Sequence, residues 1–164
     1  MDTNHIESLF SPGSILDSIA DGVYVTDLDR QIVFWNKAAE RITGWKKEEV
    51  LGKSCMDQIL CHVDKENRRL CGRDTCPLYR SIVTNKPAAI PVIVFGQARD
   101  GNRVPMQVIV SPVHDEQNKV IGGVEVFRDV TETMKDLARA KEIQSKSLKW
   151  SLDPDCGLEA SVHY

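Results

Sequence analysis

A chain of 164 residues holds one domain of about 100–150 residues with short appendages. Its 41% hydrophobic and 27% charged residues are ordinary for a globular protein, and a net charge of −3 with scattered Lys and Arg argues against a nucleic-acid-binding surface, which needs clustered cations. No apolar stretch approaches the roughly 20 residues that cross a bilayer, and residues 1–10 lack a signal-peptide pattern, so the expected location is cytoplasmic, with no membrane partner.

Ser11-Pro12-Gly13 ends a polar tail over 1–11, and Ile15, Leu16 and Ile19 then share one helical face before Asp21-Gly22 stops the turn. Val23 and Val25 alternate with Tyr24 and Thr26, and Ile32 and Phe34 with Val33 and Trp35, so two short strands flank the acidic turn from Asp27 to Arg30. Both faces of these strands are largely apolar, the pattern of covered strands. Asn36 is a natural N-cap for a helix over 37–43, and a second short helix is expected over 46–51, with Gly44 and Gly52 ending them. A polar stretch bearing cysteines covers 54–75. Pro77 then opens a helix over 77–83, where its missing N–H costs nothing. Residues 89–97, 103–113 and 120–128 are rich in β-branched side chains and are separated by turn residues, which predicts an antiparallel meander. Residues 131–150 contain no Gly or Pro and read as a helix, whose stripe of Val130, Met134, Leu137 and Leu148 is interrupted by Lys141 and Gln144.

The run from Gly22 to Glu40, followed by Gly44-Trp45 and by Glu48-Glu49-Val50-Leu51-Gly52-Lys53, resembles the opening of a PAS sensor domain. Gly123 to Glu132 is similar to that family's last strand and exit motif. The resemblance covers residues 12–130 and implies an α+β fold: a five-stranded antiparallel PAS-like sheet with short helices on one face, plus flanking N- and C-terminal helices. It also implies a ligand-sized cavity. Val25, Phe34, Trp35, Ile42, Ile59, Val94, Val108 and Val126 are expected to face that cavity, or equally to fill it as a core.

Cys55, Cys61, Cys71 and Cys76 fall within one short interval, with His62 beside Cys61. Four thiols and an imidazole suit tetrahedral zinc or an iron–sulfur cluster, although no C-x-x-C pair is present. A redox pair needs only Cys71 and Cys76: Gly72 turns the chain between them, and Cys76 lies at a helix N-terminus near Arg68, Arg69 and Arg73, a setting that favours thiolate. The third alternative is that the cysteines are inert core residues. Haem is less expected because the helix over 78–85 has no histidine, and flavin because Cys61 lies outside the cysteine motif of the flavin photosensors of this fold. No Gly-rich phosphate loop or nucleophile–base spacing is present, so no catalytic residue is assigned and the chain is not expected to be an enzyme.

Residues 138–144, with Leu148, Pro154, Gly157 to Ala160 and Tyr164, resemble the lead-in to the serine/threonine phosphatase domains of bacterial stress and sporulation regulators, whose metal-binding aspartates would lie beyond Tyr164. The expected organisation is a tail over 1–11, a sensor over 12–130, a signalling helix over 131–150 and the start of an output domain over 151–164. The expected function is a bacterial sensory module that reads a small ligand, redox state or metal centre and relays it through Glu125, Asp129 and Thr131 to a homodimeric helix. The alternative is a structural dimerisation adaptor with a filled core. Ile15, Leu16, Ile19, Met134, Leu137 and Leu148 are the expected dimer contacts.

Overall fold

The computed structural model describes residues 11–151 apart from Gln58 and Arg73, with the side chains of residues 147–151 outside the description. Most of the expected tail, the expected output-domain start past Ser151, and the side chain of Leu148 therefore lie outside the described residues. The chain divides into two units, with the boundary after Val130.

In the first unit, Ser11 caps helix α1 (Pro12–Ser18) by accepting from Ser14 N. Strand β1 (Gly22–Asp27) turns into β2 (Ile32–Trp35), followed by helices α2 (Lys37–Thr43) and α3 (Lys47–Val50). An irregular stretch leads to α4 (Pro77–Thr84), and then come β3 (Val92–Gln97), β4 (Arg103–His114) and β5 (Val120–Asp129). The five strands form one antiparallel sheet in the order β2-β1-β5-β4-β3. The helix expected over 46–51 is a single turn. Strand β3 starts three residues later than expected because Pro91, which has no N–H to give a ladder, precedes it.

Asn36 ties the N-terminal elements together. Its Oδ1 accepts from Ala39 N at 2.8 Å and Val23 N at 2.9 Å, and its Nδ2 donates to the carbonyls of Leu16 and Asp21 at 3.0 Å each. One fully buried amide thus caps α2, holds β1 and anchors the end of α1. Glu49 works similarly at the surface, accepting from Lys46 N at 2.9 Å and from Arg99 Nη2 at 2.7 Å, which fastens α3 to the end of β3.

The register sorts the strands into two faces. Tyr24 is opposite both Trp35 and Glu125, Val108 is opposite Val92 and Phe127, and Val94 is opposite Met106. These residues share the covered face, where Tyr24, Trp35 and Phe127 form an aromatic triangle with ring centroids 5.7–6.3 Å apart. Helix α4 packs here because Gly123 has no side chain: a Cβ would stand 2.7 Å from Leu78 Cδ1 and 2.9 Å from Ile82 Cγ1.

The second unit carries helix α5 (Thr131–Ser151), with surface ion pairs Lys135–Glu132 and Lys146–Glu142 and with Met134, Leu137 and Ile143 exposed. Among the described residues no helix is long and apolar enough to cross a membrane.

Candidate functional site

Among the described residues, Glu125 is the buried carboxyl group of the covered face. Glu125 is placed there by its pairing with Tyr24 on one side and Val110 on the other, and it is 1% exposed. His62 arrives from the irregular stretch. Gln97 N donates to Leu60 O at 2.6 Å, and Val63 and Phe95 exchange two backbone hydrogen bonds, so residues 60–63 run along the outer edge of β3. Between those anchors Cys61 adopts a left-handed backbone with φ 39°, which non-glycine residues seldom hold. His62 is thereby buried above Gly96, where a Cβ would come within 3.5 Å of its Cδ2. Nε2 of His62 ends 3.6 Å from Oε1 of Glu125, beyond hydrogen-bond length.

Neither group is satisfied. His62 Nε2 and both Glu125 carboxyl oxygens are buried with no hydrogen bond of ordinary geometry, as are Thr26 Oγ1 and Ser81 Oγ; the Tyr24 phenol is near enough to the carboxyl to pull on it weakly. Burial pushes the Glu125 carboxyl up to about 8, against a smaller downward pull from the Tyr24 phenol. Burial, helped by the positive charge of Arg103, pulls the His62 imidazole down to about 4. The contact is a carboxylic acid facing a neutral imidazole, not an ion pair, because each charged form would be stranded out of water. Burial also raises the Tyr24 phenol, with Glu125 adding to the effect.

Three of the four clustered cysteines converge on this region. Cys55, Cys71 and Cys76 are buried and lie near enough to Tyr24 to raise its pKa. Cys71 Sγ accepts from His62 N at 3.1 Å. Cys61 stands apart, its Sγ donating to Met56 O at 3.3 Å. The four are free thiols. Among the described residues no three His, Cys, Asp or Glu side chains are grouped to hold a metal ion, so the expected zinc or iron–sulfur site at Cys55, Cys61, His62, Cys71 and Cys76 is not assembled. The expected low pKa of Cys76 is also corrected. The amides of Tyr79 and Leu78 do pull it down, but desolvation is the larger effect and the thiol is raised. Burial pushes Cys71 up to about 12 and raises Cys55 further.

Of the expected cavity residues, Trp35, Ile59, Val94 and Val108 are in the core around Glu125, and Ile42 packs against it. Phe34 and Val126 are not there, and neither is Val25. Val25 pairs with Phe34 and Val124, and Val126 with Val23 and Ile109, one residue out of step with Tyr24 and Glu125 and therefore on the opposite face. Glu125, expected as a relay residue, is part of the buried site itself. Asp129 ends β5 and Thr131 begins α5. A haem between His62 and the sheet does not fit, since His62 Nε2 is already 3.6 Å from Glu125.

A family model described as the PAS fold matches residues 13–130. Among curated proteins, the sensor protein FixL of Bradyrhizobium diazoefficiens is 30% identical over 135 residues, covering 81% of this chain and 25% of that protein. The probable diguanylate cyclase DgcE of Escherichia coli K12 is 30% identical over 124 residues, covering 74% of this chain and 10% of that protein. The chain thus spans a quarter or less of the length of these two relatives. Among solved structures, the PAS domain of a Colwellia psychrerythraea protein superposes with a TM-score of 0.60 at 19% identity, covering 80% of this chain and 99% of that one. An RNA-binding light-oxygen-voltage receptor superposes at 0.65 and 19% identity, over 93% of this chain and 40% of that one. With the sheet order, the helices between β2 and β3 and a family match running from α1 to the end of β5, the chain belongs to the PAS family of regulatory sensor domains.

Proposed function

We propose that this PAS domain senses a small, neutral, hydrogen-bonding molecule held beside Glu125 and His62 on the covered face of the sheet. The observation that carries this reading is the set of poorly met atoms: His62 Nε2 and both Glu125 oxygens are out of water with no hydrogen bond of ordinary geometry, the Tyr24 phenol giving the carboxyl only a weak pull. Such groups cost roughly 1–3 kcal/mol each when unmet, and a molecule offering a donor and an acceptor offsets that cost. Glu125 lies on the strand that ends at Asp129, just before α5 begins at Thr131, so a shift of β5 is passed along the chain into that helix. The domain acts as a homodimer through exposed apolar residues, Ile15 and Ile19 in one unit and Met134 and Leu137 in the other. Its output is a downstream domain of the phosphatase type that residues 138–164 resemble.

Native mass spectrometry of the purified protein, compared with the denatured mass, tests the ligand. A small mass excess that disappears in Glu125→Leu/His62→Leu supports it. A native mass equal to the chain mass, with no polar metabolite in a thermal-shift screen raising Tm, favours the filled-core adaptor instead. Light scattering at tens of micromolar that shows only monomer removes the dimer.

A further inference from the structure

We propose that the groove between α4 and the segment leading into β3 binds a small amphipathic monoanion, a carboxylate on an apolar body. Helix α4 presents Pro77, Arg80, Ser81 and Thr84 to the groove, while Leu78 and Ile82 face the sheet. Asn85 then takes a left-handed backbone with φ 51° and turns the chain back along the helix. Lys86 N donates to Ser81 O at 3.2 Å and Ala88 N to Val110 O at 2.9 Å, so the returning segment is pinned as a second wall. The groove, open to solvent on one side, has a volume of about 640 Å³, the size of a small-molecule pocket.

The chemistry of the lining selects the ligand. Ser81 is 3% exposed and its Oγ has no partner. Helical hydroxyls usually bond back to a carbonyl of the preceding turn, as Thr84 Oγ1 does to Arg80 O at 2.7 Å. Ser81 does not; the residue lines the groove, and its hydroxyl is a donor without a partner, shielded from water. Arg80 and Lys86 supply positive charge, and among the described residues no Asp or Glu lines the groove and neither cation is held in an ion pair. The opposite wall is apolar, from Ala88 to Val92, and includes Ile90, which is 70% exposed. A carboxylate placed between the two cations and the Ser81 hydroxyl leaves its apolar body over Ile90 and Val92.

The test is an amide NMR titration of the full chain with octanoate and, separately, with octan-1-ol. Octanoate is expected to shift Ser81, Lys86 and Ala88 saturably, with octanol at least tenfold weaker. Arg80→Glu/Lys86→Glu is expected to weaken octanoate at least tenfold with an unchanged circular dichroism spectrum, since both side chains are exposed. Ser81→Ala is expected to weaken octanoate several-fold while leaving the Tm of the unliganded protein unchanged or higher. The proposal is overturned by no saturable shift, by shifts confined to core residues such as Tyr24 and Phe127, by equal binding of octanol, by indifference to charge reversal, or by a Tm loss in Ser81→Ala.

Discussion

His62 Nε2 faces Glu125 Oε1 at 3.6 Å across the inner surface of β4, with both side chains almost wholly withdrawn from water. Burial moves the two pKa values in opposite directions, to about 8 for the acid and about 4 for the imidazole. The pair therefore carries one proton through the neutral range.

This gives stability a defined pH dependence. From pH 4.5, the ordinary value for Glu125, up to its folded value of about 8, the folded state keeps a proton that the unfolded state releases, so stability falls with rising pH. For His62, between about 4 and its ordinary 6.5, the unfolded state binds the extra proton and stability rises with pH. The two effects offset each other up to pH 6.5. Between there and pH 8 only Glu125 acts, and the expected loss is about 2 kcal/mol at roughly 1.4 kcal/mol per pH unit. Urea denaturation at half-unit pH steps measures this, and Glu125→Gln should flatten the curve above 6.5. A fall that persists in that variant means another group is responsible.

Thiol reactivity should follow burial. At pH 7.5 iodoacetamide is expected to label Cys61, which is half-buried, well before Cys55, Cys71 and Cys76, whose thiolates are suppressed by desolvation. Peptide mass spectrometry over a time course reads the order. Labelling of Cys76 first would restore the reactive-thiol assignment that its helix terminus suggests.

Adjacent glycines should tolerate alanine unequally. A Cβ at Gly122 would stand 2.0 Å from the Thr26 carbonyl oxygen, a backbone atom that moves only if the β1–β5 ladder moves. At Gly123 the obstacles are the side chains of Leu78 and Ile82. Gly123→Ala is expected to cost about 1–3 kcal/mol by overpacking. Gly122→Ala should cost more and broaden the amide spectrum of β1 and β5. Equal Tm losses would show that the ladder adjusts as freely as the core.

Asn36→Ala should be among the most destabilising single changes. It removes the acceptor for Ala39 N and Val23 N and the donor to Asp21 O, and it leaves Leu16 O with only the Ile19 N–H at 3.3 Å. The expected loss is about 3 kcal/mol or more. Asn36→Asp keeps the acceptor but not the donors, so it should loosen α1 while leaving the cap of α2. Hydrogen exchange that speeds up equally at Leu16 and Ala39 in that variant would contradict this division.

The cap at Asn36, the opening proline of α4 and the turns between strands were legible in the sequence, because each depends on residues within a few positions of itself. Which strand face is covered was not. Val25 and Val126 are as apolar as any core residue, whereas the covered face carries Tyr24 and Glu125, so hydrophobicity pointed to the wrong side at both strands. The Glu125–His62 contact was also out of reach, since it depends on residues 60–63 being laid along β3 and on a left-handed residue at Cys61. For Cys76 the helix terminus does pull toward thiolate, through the amides of Tyr79 and Leu78, but the cation that helps is Arg30, far away in sequence, and the desolvation that outweighs both arises only from the folded surroundings.

The order β2-β1-β5-β4-β3 places the last strand made between the first strand and the fourth. A nascent chain that stops short of β5 can pair β1 with β2 and β3 with β4, but no strand joins the two hairpins, and only contacts at the sheet edge such as Glu49–Arg99 span them. Until residue 129 is available, β1 and β4 each keep an open hydrogen-bonding edge, the kind of edge that captures other chains. The sensor is therefore closed by its final segment. Truncation before β5 should yield two hairpins with no strand between them, not a smaller sensor, and sequence fused beyond the domain is synthesised only after the piece that completes the sheet.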